Sequence, residues 1–129
     1  EIYTLINKNK KSIHLENFIK IPKKFENKKI NEKWIELKKI RDICNISIEE
    51  KRASKEIGSS LEANIIINLN EKIFELTKEV DFSELCITSD AKIEKTITDE
   101  TRVTTEKAEG NKCPVCWKIN KNPCKRHST

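Results

Sequence analysis

The C-terminal stretch KCPVCWKINKNPCKRH holds the residues best suited to chemistry, because three of the five cysteines and one of the two histidines lie in it. A CxxC pair and a CxxH pair are separated there by seven residues. Two ligands separated by two residues can turn towards one ion, and two such pairs complete a tetrahedral Zn²⁺ site of the Cys3His type. The predicted ligands are Cys113, Cys116, Cys124 and His127. Since four protein ligands leave no position for a reacting water, we expect one structural zinc ion and no catalytic residue.

Two other uses of these cysteines are less well supported by the sequence. A CxxC pair can be a redox pair, but that chemistry does not require a second thiol–imidazole pair nearby. A secreted disulfide framework is disfavoured by the odd cysteine count and by the lack of a recognisable signal peptide. The segment has few apolar groups, mainly Val115, Trp117 and Ile119, so a bound metal would have to offset the entropy of ordering it.

The remaining thiols and imidazole are expected to have packing roles. Cys44 and Cys86 fall on the apolar faces of predicted elements, so each should act as a small buried hydrophobe without a disulfide between them. His14 is far in sequence from the cysteine cluster. We therefore expect it to pack or to make a backbone contact rather than to bind the metal.

A long amphipathic helix is predicted ahead of this cluster. Its apolar residues recur at spacings of three and four, and Ile35 and Ile43 widen the stripe formed by Trp34, Leu37, Ile40, Cys44 and Ile48. Asn31 is a suitable N-cap, and Gly58, preceded by several cations, is suited to a helix C-terminus. Near Asn45 the helix either continues or breaks.

The pattern then changes to alternation. SLEANIIINL alternates apolar and polar residues, as a strand with one buried face does. Asn70 is a suitable N-cap for a second helix, LCITS reads as a second strand, and ETRVTTEKA, rich in Thr, as a third. The predicted fold class is therefore α+β: a long amphipathic helix, a small strand-helix-strand unit and a C-terminal zinc knuckle. The expected regions are residues 1–58 with the long helix and a connecting segment, 59–108 with the strand-helix-strand unit, and 109–129 with the zinc knuckle.

The charge is unevenly distributed over the 129 residues. The net charge is +5, with +5 in residues 1–30, −5 in residues 31–106 and +5 in residues 107–129. Basic ends can bind a polyanion, but the excess of Lys, Ile and Asn also fits a genome rich in A/T codons, and charge runs are often solvated faces. No apolar run approaches the length of a membrane span and Met is absent, so we expect a cytoplasmic protein without a membrane partner, as part of a longer chain.

Several stretches resemble a known family. A helix ending in KRASKE followed by IGSSLEA at Ile57 to Ala63, then ELCITSD, and finally GNKCPVCW at Gly110 to Trp117, are similar to the C-terminal part of bacterial isoleucyl-tRNA synthetases. SIHLENF near the start is similar to that family's segment after the anticodon-binding helices. The resemblance covers nearly the whole chain in the same order.

The resemblance implies the tail of a class I ligase that attaches isoleucine to its tRNA, with a terminal zinc module. Its expected partners are tRNA and the catalytic body of the same synthetase, in a monomeric enzyme. ATP would be bound only by the full-length enzyme, since this sequence has two glycines and neither nucleotide-binding signature of the class.

Candidate tRNA contacts are the cations of the cysteine-rich segment and its tryptophan, namely Lys112, Trp117, Lys118, Lys121, Lys125 and Arg126. Trp117 could stack on a base or pack over the metal ligands. Val115 stands where the family commonly has Arg, and Cys124 with His127 replaces a second CxxC pair. The alternatives left open are a DNA-binding zinc module, like the finger of formamidopyrimidine-type DNA glycosylases, and a purely structural tail.

Overall fold

The computed structural model describes residues 2–8, 12–124 and 126–127. Its helices are α1 (Ile2–Ile6), α2 (Lys28–Ala53), α3 (Glu71–Thr77) and α4 (Phe82–Leu85). Its strands are β1 (Ala63–Asn70), β2 (Asp90–Thr96), β3 (Arg102–Lys107), β4 (Asn111–Lys112) and β5 (Ile119–Asn120). Short 3-10 turns cover Ile13–Leu15, Lys23–Phe25 and Ser60–Glu62. The α+β class and the order of long helix, strand unit and Cys/His cluster are as predicted.

Helix α2 is one unbroken helix of 26 residues, so there is no interruption at Asn45. The prediction that Asn31 begins it was wrong. The side chain of Asn27 accepts a hydrogen bond from the Ile30 backbone N–H at 3.2 Å and caps the helix, and Asn31 lies inside it.

The prediction that Gly58 forms the C-terminal end of α2 was also wrong. The left-handed residue that follows the helix is Lys55, with φ of 61°. Gly58 lies further along, where its N–H donates to Glu62 Oε2 at 2.9 Å. A helix can therefore end on a non-glycine residue when the following turn is held by other bonds, here Glu56 N–H to the Lys51 carbonyl at 3.1 Å.

A three-stranded sheet lies against α2, with β1 in the centre. β2 pairs with β1 in parallel and β3 pairs with it antiparallel, so that Ile67 lies opposite Ile93 on one side and Val103 on the other. Helices α3 and α4 form the crossover that a parallel pair requires. The predicted alternation in β1 is confirmed, since every second residue from Ala63 is buried.

The assignment of LCITS to a strand was wrong. Leu85 ends α4, Ile87 adopts a left-handed conformation with φ of 57°, and the strand begins only at Asp90. The Asp81 side chain starts this short helix by accepting hydrogen bonds from two backbone N–H groups. The apolar residues Phe82 and Leu85 thus lie in a helical turn, whereas the strand has the charged sequence DAKIEKT.

One face of the sheet and the helices enclose the core. The buried hydrophobic residues are Leu37, Ile40, Cys44, Ile48, Ile57, Ala63, Ile65, Ile67, Leu69, Phe82 and Cys86. Cys44 and Cys86 are buried free thiols, as expected. A hydrogen bond with Cys86, together with burial, raises the pKa of Cys44, so its thiol stays neutral.

The described residues ahead of α2, 2–8 and 12–27, contribute no member to this core. Their large apolar side chains are exposed, namely Ile2, Leu5, Ile6, Ile13, Leu15, Phe18, Ile19, Ile21 and Phe25. The exposure continues into the first turns of α2, where Trp34 is 44% exposed. His14 is exposed as well, and its backbone N–H donates to Ser12 Oγ at 3.3 Å. Among the described residues, no helix combines the length and apolar character needed to cross a bilayer.

Candidate metal centre

A small hairpin positions the four predicted ligands. β4 and β5 pair antiparallel, with Asn111 opposite Asn120 and Lys112 opposite Ile119. Gly110 precedes the hairpin with φ of 127°, and a Cβ there would collide with the backbone carbonyl of Asn120. Residues 110–124 and 126–127 are called the knuckle below.

The turn between the two strands brings the CxxC pair into place. The backbone N–H of Cys113 donates to the Lys118 carbonyl at 2.9 Å, and the N–H of Trp117 donates to the Cys113 carbonyl at 3.0 Å. Trp117 has φ of 64°, a left-handed conformation that is uncommon for an aromatic residue. The second pair is closed in the same way, because the His127 N–H donates to the Cys124 carbonyl at 3.1 Å.

The four ligand atoms converge. The three Sγ atoms and a His127 ring nitrogen all lie within 4.8 Å of one another. Cys116 Sγ lies 3.6 Å from Cys124 Sγ, and His127 Nδ1 lies 3.6 Å from Cys113 Sγ and 3.4 Å from Cys124 Sγ. Zn–S and Zn–N bonds of about 2.3 and 2.1 Å in a tetrahedron imply ligand separations of about 3.5–3.8 Å. The three separations of 3.4–3.6 Å are therefore close to those of a tetrahedral zinc site.

The electrostatics of the cluster also suit a cation. Backbone N–H groups of Cys116 and Val115 lower the pKa of the Cys113 thiol to about 6, which favours the thiolate that a metal requires. Cys113 is buried and His127 is exposed at the outer side. Three thiols with one imidazole form a soft donor set that zinc accepts, and all four positions are filled by protein atoms. The residues present fit a structural metal ion and not a catalytic one.

The structure places the candidate tRNA residues in two different environments. Trp117 is 59% exposed, and Lys112 Nζ lies 5.7 Å from its ring centroid, so the two side chains form a cation–π pair at the surface. Lys121 is also at the surface, where it pairs with Glu109 at 2.7 Å and both side chains are 75% exposed. Lys125 lies outside the described residues.

Lys118 and Arg126 instead contact the α+β unit. Lys118 Nζ lies 2.7 Å from Glu84 Oε1 and donates to Ser83 Oγ at 3.0 Å, and its side chain is only 16% exposed. Arg126 reaches the same Glu84 oxygen at 3.1 Å. The ammonium of Lys118 holds the pKa of Glu84 below its usual range, so the Glu84 carboxylate is ionised near neutrality.

A second contact joins the knuckle to the sheet. The Ile119 N–H donates to Ser89 Oγ at 2.6 Å, and the Ser89 hydroxyl donates to the Leu61 carbonyl. Ser89 is buried. Sequence reasoning did not identify Ser83, Glu84 or Ser89, and no local signal could have done so, because their partners in these contacts are 28 to 42 positions away.

No protein-family model matches the chain. Among curated proteins it is 69% identical over 128 residues to the isoleucine–tRNA ligase of Pelagibacter ubique strain HTCC1062, a match that covers 99% of this chain and 14% of the relative. It is 36% identical over 121 residues to the ligase of the same name from Mesorhizobium japonicum, covering 83% of this chain and 12% of the relative. For the ligase of Zymomonas mobilis the identity is 33% over 106 residues, covering 82% and 11%.

The chain thus spans 11–14% of the length of each relative, whereas the matches cover 82–99% of the chain. All three relatives have the same name. This agreement, together with the high identity to the Pelagibacter protein, shows that the chain belongs to the isoleucine–tRNA ligase family.

Proposed function

We propose that this chain is the tRNA-binding C-terminal region of an isoleucine–tRNA ligase. In the complete, monomeric enzyme it would support the ATP-dependent attachment of isoleucine to tRNA in the cytoplasm, and it would carry no catalytic residue itself. The observation that supports this most is the exposed pair of Trp117 and Lys112 on a small basic module, in a chain of this family. An aromatic face and a neighbouring cation can together bind an unpaired base and a phosphate.

We propose that zinc holds this module in shape. Cys113, Cys116, Cys124 and His127 would bind one ion, and the ion would supply the folding free energy that so small a segment lacks. The ion would have no part in the reaction. Elemental analysis of protein purified without chelator should give one zinc per chain, and His127→Ala should lower that content while Cys44→Ala, outside the cluster, leaves it unchanged. Less than about half an equivalent in the unmodified chain would contradict the site, because structural zinc binds tightly.

Binding experiments test the RNA contact. We expect the chain to bind tRNA more tightly than a DNA duplex of equal charge. Trp117→Ala should weaken tRNA binding by about 5- to 150-fold, since stacking on one base contributes about 1–3 kcal/mol. Trp34→Ala is the matched control, because Trp34 is also partly exposed but lies on α2. Equal binding of duplex and tRNA would favour a DNA-binding module instead.

A structural tail is the second candidate, and the contact of Lys118 with Glu84 favours it. In that case the knuckle would brace the rest of the enzyme and Trp117→Ala would leave tRNA affinity unchanged. Assays of the complete enzyme distinguish the two candidates further. If the tail binds tRNA, Trp117→Ala should lower aminoacylation and preserve isoleucine activation with ATP alone.

We also propose that the N-terminal segment packs against the catalytic body of the same enzyme. The exposed apolar side chains of residues 13–25 and of the first turns of α2 would otherwise remain in water, and such patches usually mark contact surfaces. The chain spans 14% of the length of its Pelagibacter relative, so most of such an enzyme is available to cover them. Phe18→Ser should therefore improve the solubility of this chain alone and destabilise the complete enzyme.

A further inference from the structure

The knuckle is fixed to the α+β unit by a small polar seam. On one side are Ser83, Glu84 and Ser89, and on the other are Lys118, Ile119 and Arg126. The seam contains two ion pairs that share one carboxylate oxygen and one hydrogen bond from a strand backbone to a buried hydroxyl. These contacts restrict rotation of the knuckle as well as its separation from the sheet.

Lys118 joins the seam to the turn that carries the exposed Trp117. Its backbone carbonyl accepts the Cys113 N–H inside the metal turn, while its side chain reaches α4. Trp117 is the preceding residue and has its own backbone bond to Cys113. The backbone of Trp117, which sets the direction of its Cβ, is therefore held on one side by the turn that carries the CxxC pair and on the other by the pairing of Lys118 with Glu84.

The charge of Glu84 makes its role testable. An acidic group beside an RNA-binding surface repels phosphates, and here it also occupies two cations that would otherwise be available to them. If its effect were only electrostatic, removing the charge would strengthen RNA binding. If it holds the knuckle in place, removing the charge would weaken binding although the protein becomes more positive.

We propose that Glu84 is a positioning residue for RNA: by pairing with Lys118 and Arg126 it fixes the knuckle on α4, so that Trp117 and Lys112 present one orientation to an unpaired base and its phosphate. This inference rests on the proposed tRNA binding. In this proposal Lys118 and Arg126 hold the knuckle on α4. The RNA is contacted by the groups on the exposed side of the knuckle, Trp117 and Lys112.

The experiment uses this chain with tRNA at fixed salt, in a Trp34→Phe background where Trp117 is the only tryptophan. Glu84→Gln should weaken binding by about threefold or more, as expected when stacking is partly lost. It should also lower the fluorescence anisotropy of Trp117 in the free protein, while zinc content and the thermal midpoint stay close to those of the parent. Glu50→Gln is the charge-matched control, because Glu50 is exposed on α2 and outside the seam. Unchanged or tighter binding by Glu84→Gln would overturn the proposal.

A double-mutant cycle tests whether Lys118 acts through Glu84. Lys118→Gln should weaken binding to a similar extent, and the combination with Glu84→Gln should cost little more than either change alone. Additive losses would mean that Lys118 contacts phosphate independently, which would overturn the docking assignment. If Glu84→Gln does not fold, the charge swap Glu84→Lys with Lys118→Glu decides: it should bind better than either single reversal, and failure to do so would count against the proposal.

Trp117→Ala distinguishes failure of the proposed tRNA binding from failure of the positioning role of Glu84. If it leaves tRNA affinity unchanged, the proposed function itself fails. If it weakens binding but Glu84→Gln does not, only the positioning role of Glu84 fails.

Discussion

Ser47 of α2 and Thr105 of β3 are 58 positions apart in sequence, and their hydroxyl oxygens lie 2.8 Å from each other. Ser47 Oγ also lies 3.4 Å from the carbonyl oxygen of Val103, and Thr105 is buried. The bond joins the long helix to an edge strand of the sheet at a site that includes no ligand of the metal cluster. The contacts between α2 and the sheet are thus independent of the knuckle.

We therefore expect residues 31–106 to keep their fold when the proposed zinc ion is removed. Chelation should leave most of the helical circular dichroism at 222 nm intact, because α2 supplies most of the helix and packs on the sheet. The Trp117 emission should change, since its turn contains two of the ligands. Complete loss of the helical signal would show that the metal stabilises the whole chain.

Ile67 should be among the most sensitive core positions. It is fully buried in the central strand, opposite Ile93 and Val103. Ile67→Ala should lower the free energy of unfolding by about 2–5 kcal/mol, from lost transfer free energy and the cavity that remains. Urea denaturation measures this, with Ile97→Ala as the control, because Ile97 is fully exposed and its truncation should change stability by about 0.5 kcal/mol or less.

Asp81 should stabilise the α+β unit in a pH-dependent way. Its carboxylate accepts hydrogen bonds from Ser83 Oγ at 2.7 Å, from the Ser83 N–H at 2.9 Å and from the Glu84 N–H at 3.3 Å. The Ser83 hydroxyl bond, followed by the backbone bonds, lowers the pKa of Asp81 below its ordinary value of 3.8. Asp81→Ala should cost about 1 kcal/mol at pH 7, as loss of an N-cap does.

The sign of this pH dependence follows from the lowered pKa. A carboxyl group with a lower pKa in the folded state contributes stability above its unfolded pKa, and that contribution is lost as pH falls through the folded pKa. The difference between the parent and Asp81→Ala should thus be constant from pH 7 to about pH 5 and shrink below pH 3.8. A difference that grows on acidification would show that the cap is not ionised.

The salt dependence of tRNA binding should distinguish the surface cations from the docked ones. Neutralising Lys112 and Lys121 together should reduce the slope of log affinity against log salt by about 1.4–1.8, at about 0.7–0.9 per phosphate contact. Lys118→Gln should change the slope much less, because its side chain is largely buried on Glu84. Base selectivity should be unaffected, since lysine acts as a point charge. Equal slopes in all three proteins would mean that the basic tail does not contact phosphates.

Local periodicity explains what the sequence could predict. The three- and four-residue spacing from Leu37 to Ile48 and the alternation in β1 both follow from burial on one face, and both are observed. The start of α2 could not be located in the same way. Asn27 and Asn31 are both suitable N-caps, and the first turns of α2 extend beyond the sheet, so no buried stripe marks where the helix begins.

The contacts that place the knuckle could not be predicted, because they depend on tertiary structure. The CxxC and CxxH spacings predict the ligand set, since each pair is local. The bond between Lys118 and Glu84 spans 34 positions and forms only where α4 and the turn that carries the CxxC pair lie next to each other. An acidic residue on a short helix has no sequence feature that identifies it as a docking partner.

The position of β1 in the sheet has a consequence for the order of synthesis. Of the three strands of this sheet β1 is made first, and both of its neighbours follow it, β2 after the α3–α4 crossover and β3 last. A nascent chain thus carries an apolar strand with two bare edges until β2 and β3 have emerged from the ribosome, and a chain that stops before β3 keeps one edge bare permanently. Unpaired strand edges recruit other chains. Truncation between β2 and β3 should therefore produce aggregates, whereas truncation after β3 leaves both edges of β1 paired.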